Sequence, residues 1–366
     1  MKKLAALALA LGFSCTAALA ADTVKIGLMA PMTGSWASEG QEMERVVKLL
    51  AEGATVLGKK VEIVVEDDGG DPRTASLAAQ RLATKGVTAV VGTYGSAVTE
   101  ATQTIYDEGR ILQIANGSTA IRLTEKGLRL FFRTCPRDDE QGRVAVDTIV
   151  KLKAKNVAIL HDNSAYAKGL ADEAKAGLEK KGVKIAFFDA LTPKENDYTA
   201  ILTKLKAAKP DLVFFTGYYP EAGLLMKQKA EMKWNVPFLG GDATNNPDLL
   251  KIAGKAGEGF YCVSPPLPQD LDTKEAKAFL AAYKKKYGGA PSSIYGVLAG
   301  DGLRVVVAGM QGAKSADAEK VAAFLKANLK NFPGLTGKIS FNDKGDRVGE
   351  VYRVYKVAKG QFVLQK

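Results

Sequence analysis

Histidine is all but missing: the 366-residue chain has one, His161, beside Asp162. A lone imidazole supplies no zinc or iron ligand set, and no Cys/His cluster has metal spacing. Asp67, Asp68 and Asp71 lack the EF-hand interval. A turn leading into a helix, with Asp71 capping it ahead of Pro72, is the simpler reading. Nucleophile and phosphate signatures are missing too: there is no G-x-S-x-G, no Walker A sequence, and no G-x-G-x-x-G in the first strand–helix unit. These gaps argue against an exported hydrolase, and His161 is read as part of a strand-end hydrogen-bond network. No enzyme activity, cofactor or metal is expected.

Cysteine is scarce, at three residues. Cys15 lies inside the one long apolar run, residues 4–17, which is too short and too alanine-rich to cross a membrane. Lys2 and Lys3 precede that run and Ala18-Leu19-Ala20 follows it, the order of a secretory leader over residues 1–20 cut after Ala20. Gly12-Phe13-Ser14 is a poor lipobox, so no lipid anchor is expected. The product is read as soluble and exported. Cys135 and Cys262 remain in the mature chain, where export permits a bridge that spacing cannot establish.

Acidic residues are outnumbered, and the formal charge is +11, or +9 without Lys2 and Lys3. Lysines such as Lys175, Lys180, Lys204 and Lys284 spread over helical faces without interleaved aromatics. That distribution fits solvated faces, and no nucleic-acid partner is expected.

What is present is a repeated strand–helix pattern. Short apolar runs lie at 24–29, 61–66, 87–91, 111–115, 157–160, 184–188, 212–215 and 238–239. Helical periodicities separate them at 39–52, 74–85, 141–153, 166–181, 198–208 and 220–232. Alternation of this kind predicts an α/β fold of parallel sheets with helices on both faces. The pattern restarts near 131–139, after a strand-like stretch broken at Pro136. A second stretch, 259–268, ends in prolines, and helices follow at 274–287, 293–309 and 316–330. The tail reads as β at 337–341, 351–357 and 362–364. With 346 residues after cleavage, two lobes are the natural division.

Two strand-to-turn units carry the chemistry. Ala89-Val-Val-Gly-Thr-Tyr-Gly-Ser-Ala-Val-Thr99 runs from a strand through a small polar loop into a helix, with Ser96 where an N-cap belongs. Ile111-Leu-Gln-Ile-Ala-Asn-Gly-Ser-Thr119 ends in the same chemistry. Hydroxyls and helix N-terminal N–H groups there suit a carboxylate. The first half offers Trp36, Tyr94, Ser96, Gly117 and Thr119; the second offers Tyr166, Tyr218 and Asp242. A carboxylate site facing Asp242 is what an α-amino acid requires. Taken singly, each residue fits a capping or core role equally well; their joint placement at strand ends favours binding.

The chain resembles the leucine/isoleucine/valine-binding proteins, periplasmic receptors of branched-chain amino acid ABC transporters. The likeness opens at Lys25-Ile-Gly-Leu-Met-Ala-Pro-Met-Thr-Gly34 and runs through Val157-Ala-Ile-Leu-His-Asp162, Gly217-Tyr-Tyr-Pro-Glu221 and Asn342-Asp-Lys-Gly-Asp346. It implies a two-lobed type I periplasmic binding protein fold with three hinge crossings. One lobe would take 21–137 plus 264–341, the other 138–263 plus 342–366. By the resemblance, Ser96 and Thr119 hold the ligand carboxylate, Gly117 offers its carbonyl, and Tyr218 and Asp242 face the ammonium. Tyr166 matches a tyrosine of the second lobe. The partners implied are an amino acid and a membrane permease, with a monomeric receptor. Two departures stand out. Glu39, near Trp36, replaces an aromatic of the side-chain pocket and reads as a rim residue or helix-start acid ahead of a ligand contact. Gly70 and Gly95 occupy the places of a small disulfide. Cys135 and Cys262 both fall in stretches matching crossings, which raises the expectation that they bridge. A non-amino carboxylate ligand and a sensory role remain alternatives.

Overall fold

The computed structural model describes residues 23–365. The expected leader, its cleavage site and Cys15 lie outside the described residues.

The chain opens with β1 (Thr23–Ala30), α1 (Ala37–Ala51), β2 (Thr55–Val56), β3 (Lys59–Asp67), α2 (Pro72–Thr84), β4 (Ala89–Val91), α3 (Ser96–Glu108), β5 (Leu112–Ala115), α4 (Arg122–Glu125) and β6 (Phe131–Arg133). These strands form one sheet in the order β2-β3-β1-β4-β5-β6, parallel apart from the β2–β3 hairpin. Every residue of β4 and β5 is buried, as strands covered on both faces must be. Asp71 caps α2, accepting from the N–H groups of Arg73 and Thr74 at 3.0 and 2.9 Å, with Pro72 in the first turn. This is the cap expected from the sequence.

A second series follows: α5 (Asp138–Lys151), β7 (Asn156–His161), α6 (Ala165–Lys180), β8 (Lys184–Ala190), α7 (Thr199–Ala207), β9 (Leu212–Phe215), α8 (Tyr219–Glu231), β10 (Phe238–Gly240), α9 (Pro247–Ala253) and β11 (Tyr261–Ser264). The chain then passes back. Helices α10 (Lys274–Tyr287), α11 (Ile294–Ala313) and α12 (Ala318–Ala327) come next, with α11 against α1 and β4 and α12 against β5. A ribbon of β12 (Phe332–Gly334) and β13 (Gly337–Ile339) precedes β14 (Arg353–Ala358) and β15 (Gln361–Leu364). The last two strands return to the second sheet, whose order is β15-β14-β11-β10-β9-β7-β8. Strands β7 to β11 are parallel there, and the tail adds antiparallel to β11.

The chain thus passes between the sheets three times: after β6, after β11 and before β14. The first and third passages are stitched by a buried ion pair. Arg133 Nε donates to Asp346 Oδ1 at 2.7 Å, and Arg137 reaches Asp346 Oδ2 at 3.0 Å. Burial would raise the Asp346 carboxyl, but Arg133 and Arg137 hold it below the usual range.

In each sheet the strand order reverses once, between β1 and β4 and between β7 and β9. A crevice opens outside the carboxyl ends of strands at such a reversal. Tyr94, Ser96, Gly117 and Thr119 follow β4 and β5; Tyr166, Tyr218 and Asp242 follow β7, β9 and β10.

Candidate ligand-binding cleft

On the first side, β4 ends at Gly92, whose φ is +123° and where a Cβ would lie 2.0 Å from Met29 O. Only glycine tolerates that turn. The residue capping α3 is Gly95, with extended backbone, and Ser96 is the first helical residue. This corrects the placement of Ser96 as the cap. Its hydroxyl instead reaches the neighbouring loop after β5, accepting from Ala120 N at 3.2 Å. No side chain caps α3, so its first N–H groups stay available with the positive end of the helix dipole behind them. A chain of hydroxyls, Thr93 to Thr99 to Ser118 at 2.7 Å each, ties the two loops together. Gly117 packs against Tyr94, where a Cβ would come within 2.9 Å. Thr119 is fully buried, and its carbonyl accepts from Asp138 N at 3.0 Å.

Trp36 fills the space left by Gly70 and Gly95, whose Cβ atoms would lie 2.7 and 2.9 Å from its ring. The two glycines therefore seat an indole. That indole stacks on Tyr218 from the other side, with centroids 4.2 Å apart, and meets Tyr94 edge-on at 5.5 Å. Tyr218 in turn packs on Tyr166 at 5.4 Å, and Tyr94 on Tyr295 at 4.9 Å. Beside the stacked pair lies a cavity of about 200 Å³. Its lining includes Asp71, Gly95, Ser164 and Tyr218, the N-caps of α2, α3, α6 and α8. Four helix N-termini from both halves converge there, and the Asp71, Asp162 and Glu221 carboxylates line the same space. A larger cavity, about 430 Å³, lies beside the third passage near Asp270, Thr336 and Arg353, away from these residues.

On the second side, Asp242 is fully enclosed. Its Oδ1 accepts from the Tyr166 hydroxyl at 2.9 Å and its Oδ2 from Tyr352 at 3.0 Å, and Tyr295 reaches the same carboxylate. Burial pushes this acid up to about 6 against the pull of those hydroxyls. Gln141 bridges it to a second buried acid: Gln141 Oε1 accepts from Asp242 N at 2.8 Å, and Gln141 Nε2 donates to Asp138 Oδ1 at 3.1 Å. Burial and then Asp242 raise Asp138 well above its ordinary value. Tyr94 Oη, equally buried, has no hydrogen-bond partner among the described residues.

The structure thus gathers Trp36, Tyr94, Ser96, Gly117, Thr119, Tyr166, Tyr218 and Asp242 around one interface. Sequence reasoning missed Asp138, Tyr295 and Tyr352, whose links to Asp242 span long stretches of chain. Glu39 is at a helix start, as read, but it is not at a rim: it is fully buried in the first turn of α1. His161 Nδ1 accepts from Asn163 N at 3.1 Å, the strand-end role expected of it. The expected bridge between Cys135 and Cys262 is absent; both thiols are free. They belong to different core clusters: Cys262 sits on β11 opposite Tyr355, while Cys135 donates to Ser118 O at 3.4 Å.

Two largely parallel sheets, three chain passages and facing strand ends define a type I periplasmic binding protein fold. The profile of the periplasmic binding protein family matches residues 23–361, and the chain belongs to that family. It is 37% identical over 358 residues to the leucine-, isoleucine-, valine-, threonine- and alanine-binding protein of Pseudomonas aeruginosa, covering 96% of this chain and 94% of the relative. Among solved structures it is similar to a leucine-binding protein from Thermotoga maritima, with a TM-score of 0.89 at 29% identity, covering 94% of this chain and 98% of the other. It is also similar to a branched-chain amino acid transporter substrate-binding protein from Streptococcus pneumoniae in complex with isoleucine, with a TM-score of 0.83 at 29% identity, covering 94% and 100%.

Proposed function

We propose that the exported chain captures an amino acid, branched-chain or otherwise apolar, by closing two lobes on it, and delivers it to the permease of a periplasmic ABC transporter. The lobes are 21–137 plus 264–341 and 138–263 plus 342–366. The leader over residues 1–20 is cut after Ala20, and the receptor works as a monomer without catalytic chemistry. One observation carries this reading: an uncapped α3 N-terminus and two hydroxyl-rich loops follow strand ends of one sheet, a buried carboxylate follows a strand end of the other, and Tyr94 and Tyr218 pack together between them. Neutral donors suit the ligand carboxylate, and Asp242 suits its ammonium. Ligand shifts the lobes toward closure because it touches both of them in one state only. The named ligands of the relatives support the class of amino acid.

A thermal-shift screen of the mature protein across amino acids and organic acids tests the reading. Leucine, isoleucine or valine at a hundredfold excess over Kd should stabilise the fold by about 2.7 kcal/mol. A response confined to aromatic or dicarboxylic acids would favour a non-amino carboxylate receptor instead.

A further inference from the structure

Glu39 does not line the 200 Å³ cavity beside Trp36 and Tyr218. Both of its carboxylate oxygens are engaged elsewhere. Oε2 accepts from the hydroxyl of Ser293, which caps α11, and Oε1 accepts from Asn246 Nδ2 at 2.6 Å. The first bond stays within one half of the molecule, since α11 packs on α1. The second crosses to the other half, because Asn246 caps α9 between β10 and β11. Two neighbouring contacts cross with it. Ser38 Oγ lies 3.0 Å from Tyr219 Oη, and the Tyr219 hydroxyl donates to Ser35 O at 2.8 Å. The start of α1 is thereby fastened to the starts of α8 and α9.

We propose that Glu39 and Asn246 form a proton-linked latch that positions the second lobe on the first. The proposal rests on the closure reading above. In the closed form the Glu39 carboxylate has lost water and faces further negative charge. Glu42 on α1 and Asp248 on α9 both oppose its ionisation, while Tyr94 ahead of α3 and Tyr219 on α8 are its neutral neighbours. Burial, followed by those two acids, outweighs the bonds from Ser293 and Asn246 and pushes the group up to about 7 from 4.5. Opening removes Asn246 and readmits water, which returns the acid toward its ordinary value.

The sign follows from linkage. The closed form binds more protons than the open form, so closure takes up a proton. Its contribution is complete below pH 4.5 and is lost as pH rises through about 7. Ligand affinity, which includes the closure equilibrium, falls in the same direction, less the smaller opposite effect of Asp242, which at about 6 must shed its proton to take the ammonium.

The test is calorimetric titration of L-leucine into the mature protein at pH 5.5, 6.5 and 8, in buffers of different ionisation heat. Wild type should bind on the order of tenfold more weakly at pH 8 than at pH 5.5 and take up protons at pH 6.5. Glu39→Gln keeps an acceptor for Asn246 but cannot ionise, so its slope should be shallower and its proton uptake smaller. Asn246→Asp keeps the α9 cap and sets a second carboxylate against Glu39; it should lose affinity at pH 8 and regain it at pH 5.5. Equal slopes and equal uptake in wild type and Glu39→Gln overturn the latch. If leucine binds none of them, the functional reading has failed. Small-angle scattering of the ligand-free protein then decides the latch. Compaction at pH 5.5 relative to pH 8 in wild type, absent in Glu39→Gln, supports it; an unchanged wild type overturns it.

Discussion

Tyr352 donates its hydroxyl to Asp242 Oδ2 at 3.0 Å, from the segment that brings the chain back to the second sheet for the last time. With Tyr166 on Oδ1 at 2.9 Å, it holds the acid rigidly among neutral donors. Such a carboxylate is oriented but not neutralised, which is the state a ligand ammonium needs. Asp242→Ala and Ser96→Ala should each weaken amino acid binding by at least ~1.5 kcal/mol, the loss typical of a charge-assisted hydrogen bond. Calorimetry with L-leucine measures it. Wild-type affinity in Asp242→Ala contradicts the ammonium assignment.

Stability should rise on mild acidification. Burial raises Glu39 and Asp68 to about 7 and Asp242 to about 6. Their folded-state values exceed the ordinary ones, so the folded chain holds more protons. The stability they contribute is full below about pH 4 and is lost as pH climbs through 6 and 7, roughly 3 kcal/mol per group. Asp346 and Glu66 act in the opposite sense, since their folded values are lowered and their contribution disappears below the carboxylate range. Scanning calorimetry of the ligand-free protein should therefore find a higher Tm at pH 5 than at pH 8. A Tm that climbs steadily to pH 8 contradicts this balance.

The strand–helix alternation was legible because buried parallel strands such as β9, Leu-Val-Phe-Phe, are unbroken apolar runs. Helix α10, at Lys274–Tyr287, has the boundaries its periodicity predicts. Shorter elements left less trace: α9 has seven residues, too few for a helical period to stand out beside its Asn246 cap. Ser96 misled because a serine before a helical run reads as a cap, while the extended backbone that defines one lies at Gly95. Tyr295 sits in a helix that is apolar nearly throughout, and nothing local to it points to Asp242. The cysteines failed for a related reason. Their stretches both match crossings, but the side chains enter separate cores.

Asp346 should matter to the fold well beyond an ordinary turn residue. It is buried, and it is the shared partner of Arg133 and Arg137, which come from a different passage of the chain. Asp346→Ala leaves the fully buried Arg133 guanidinium without its counter-ion, so a loss of ~3–5 kcal/mol in urea unfolding is expected. A change below ~1 kcal/mol would mean that the guanidinium finds equal compensation from its bonds to Ser118 O and Ala120 O, at 3.1 and 2.9 Å.

The recognition of both ends of one amino acid is tested most directly by deleting one end of the ligand. Calorimetric titration should compare L-leucine with 4-methylpentanoic acid, which has the same carboxylate and side chain but no ammonium. The account predicts that the amino acid binds at least ~10-fold tighter, because Asp242 loses its charge partner in the analogue. Equal affinity for the two would contradict it.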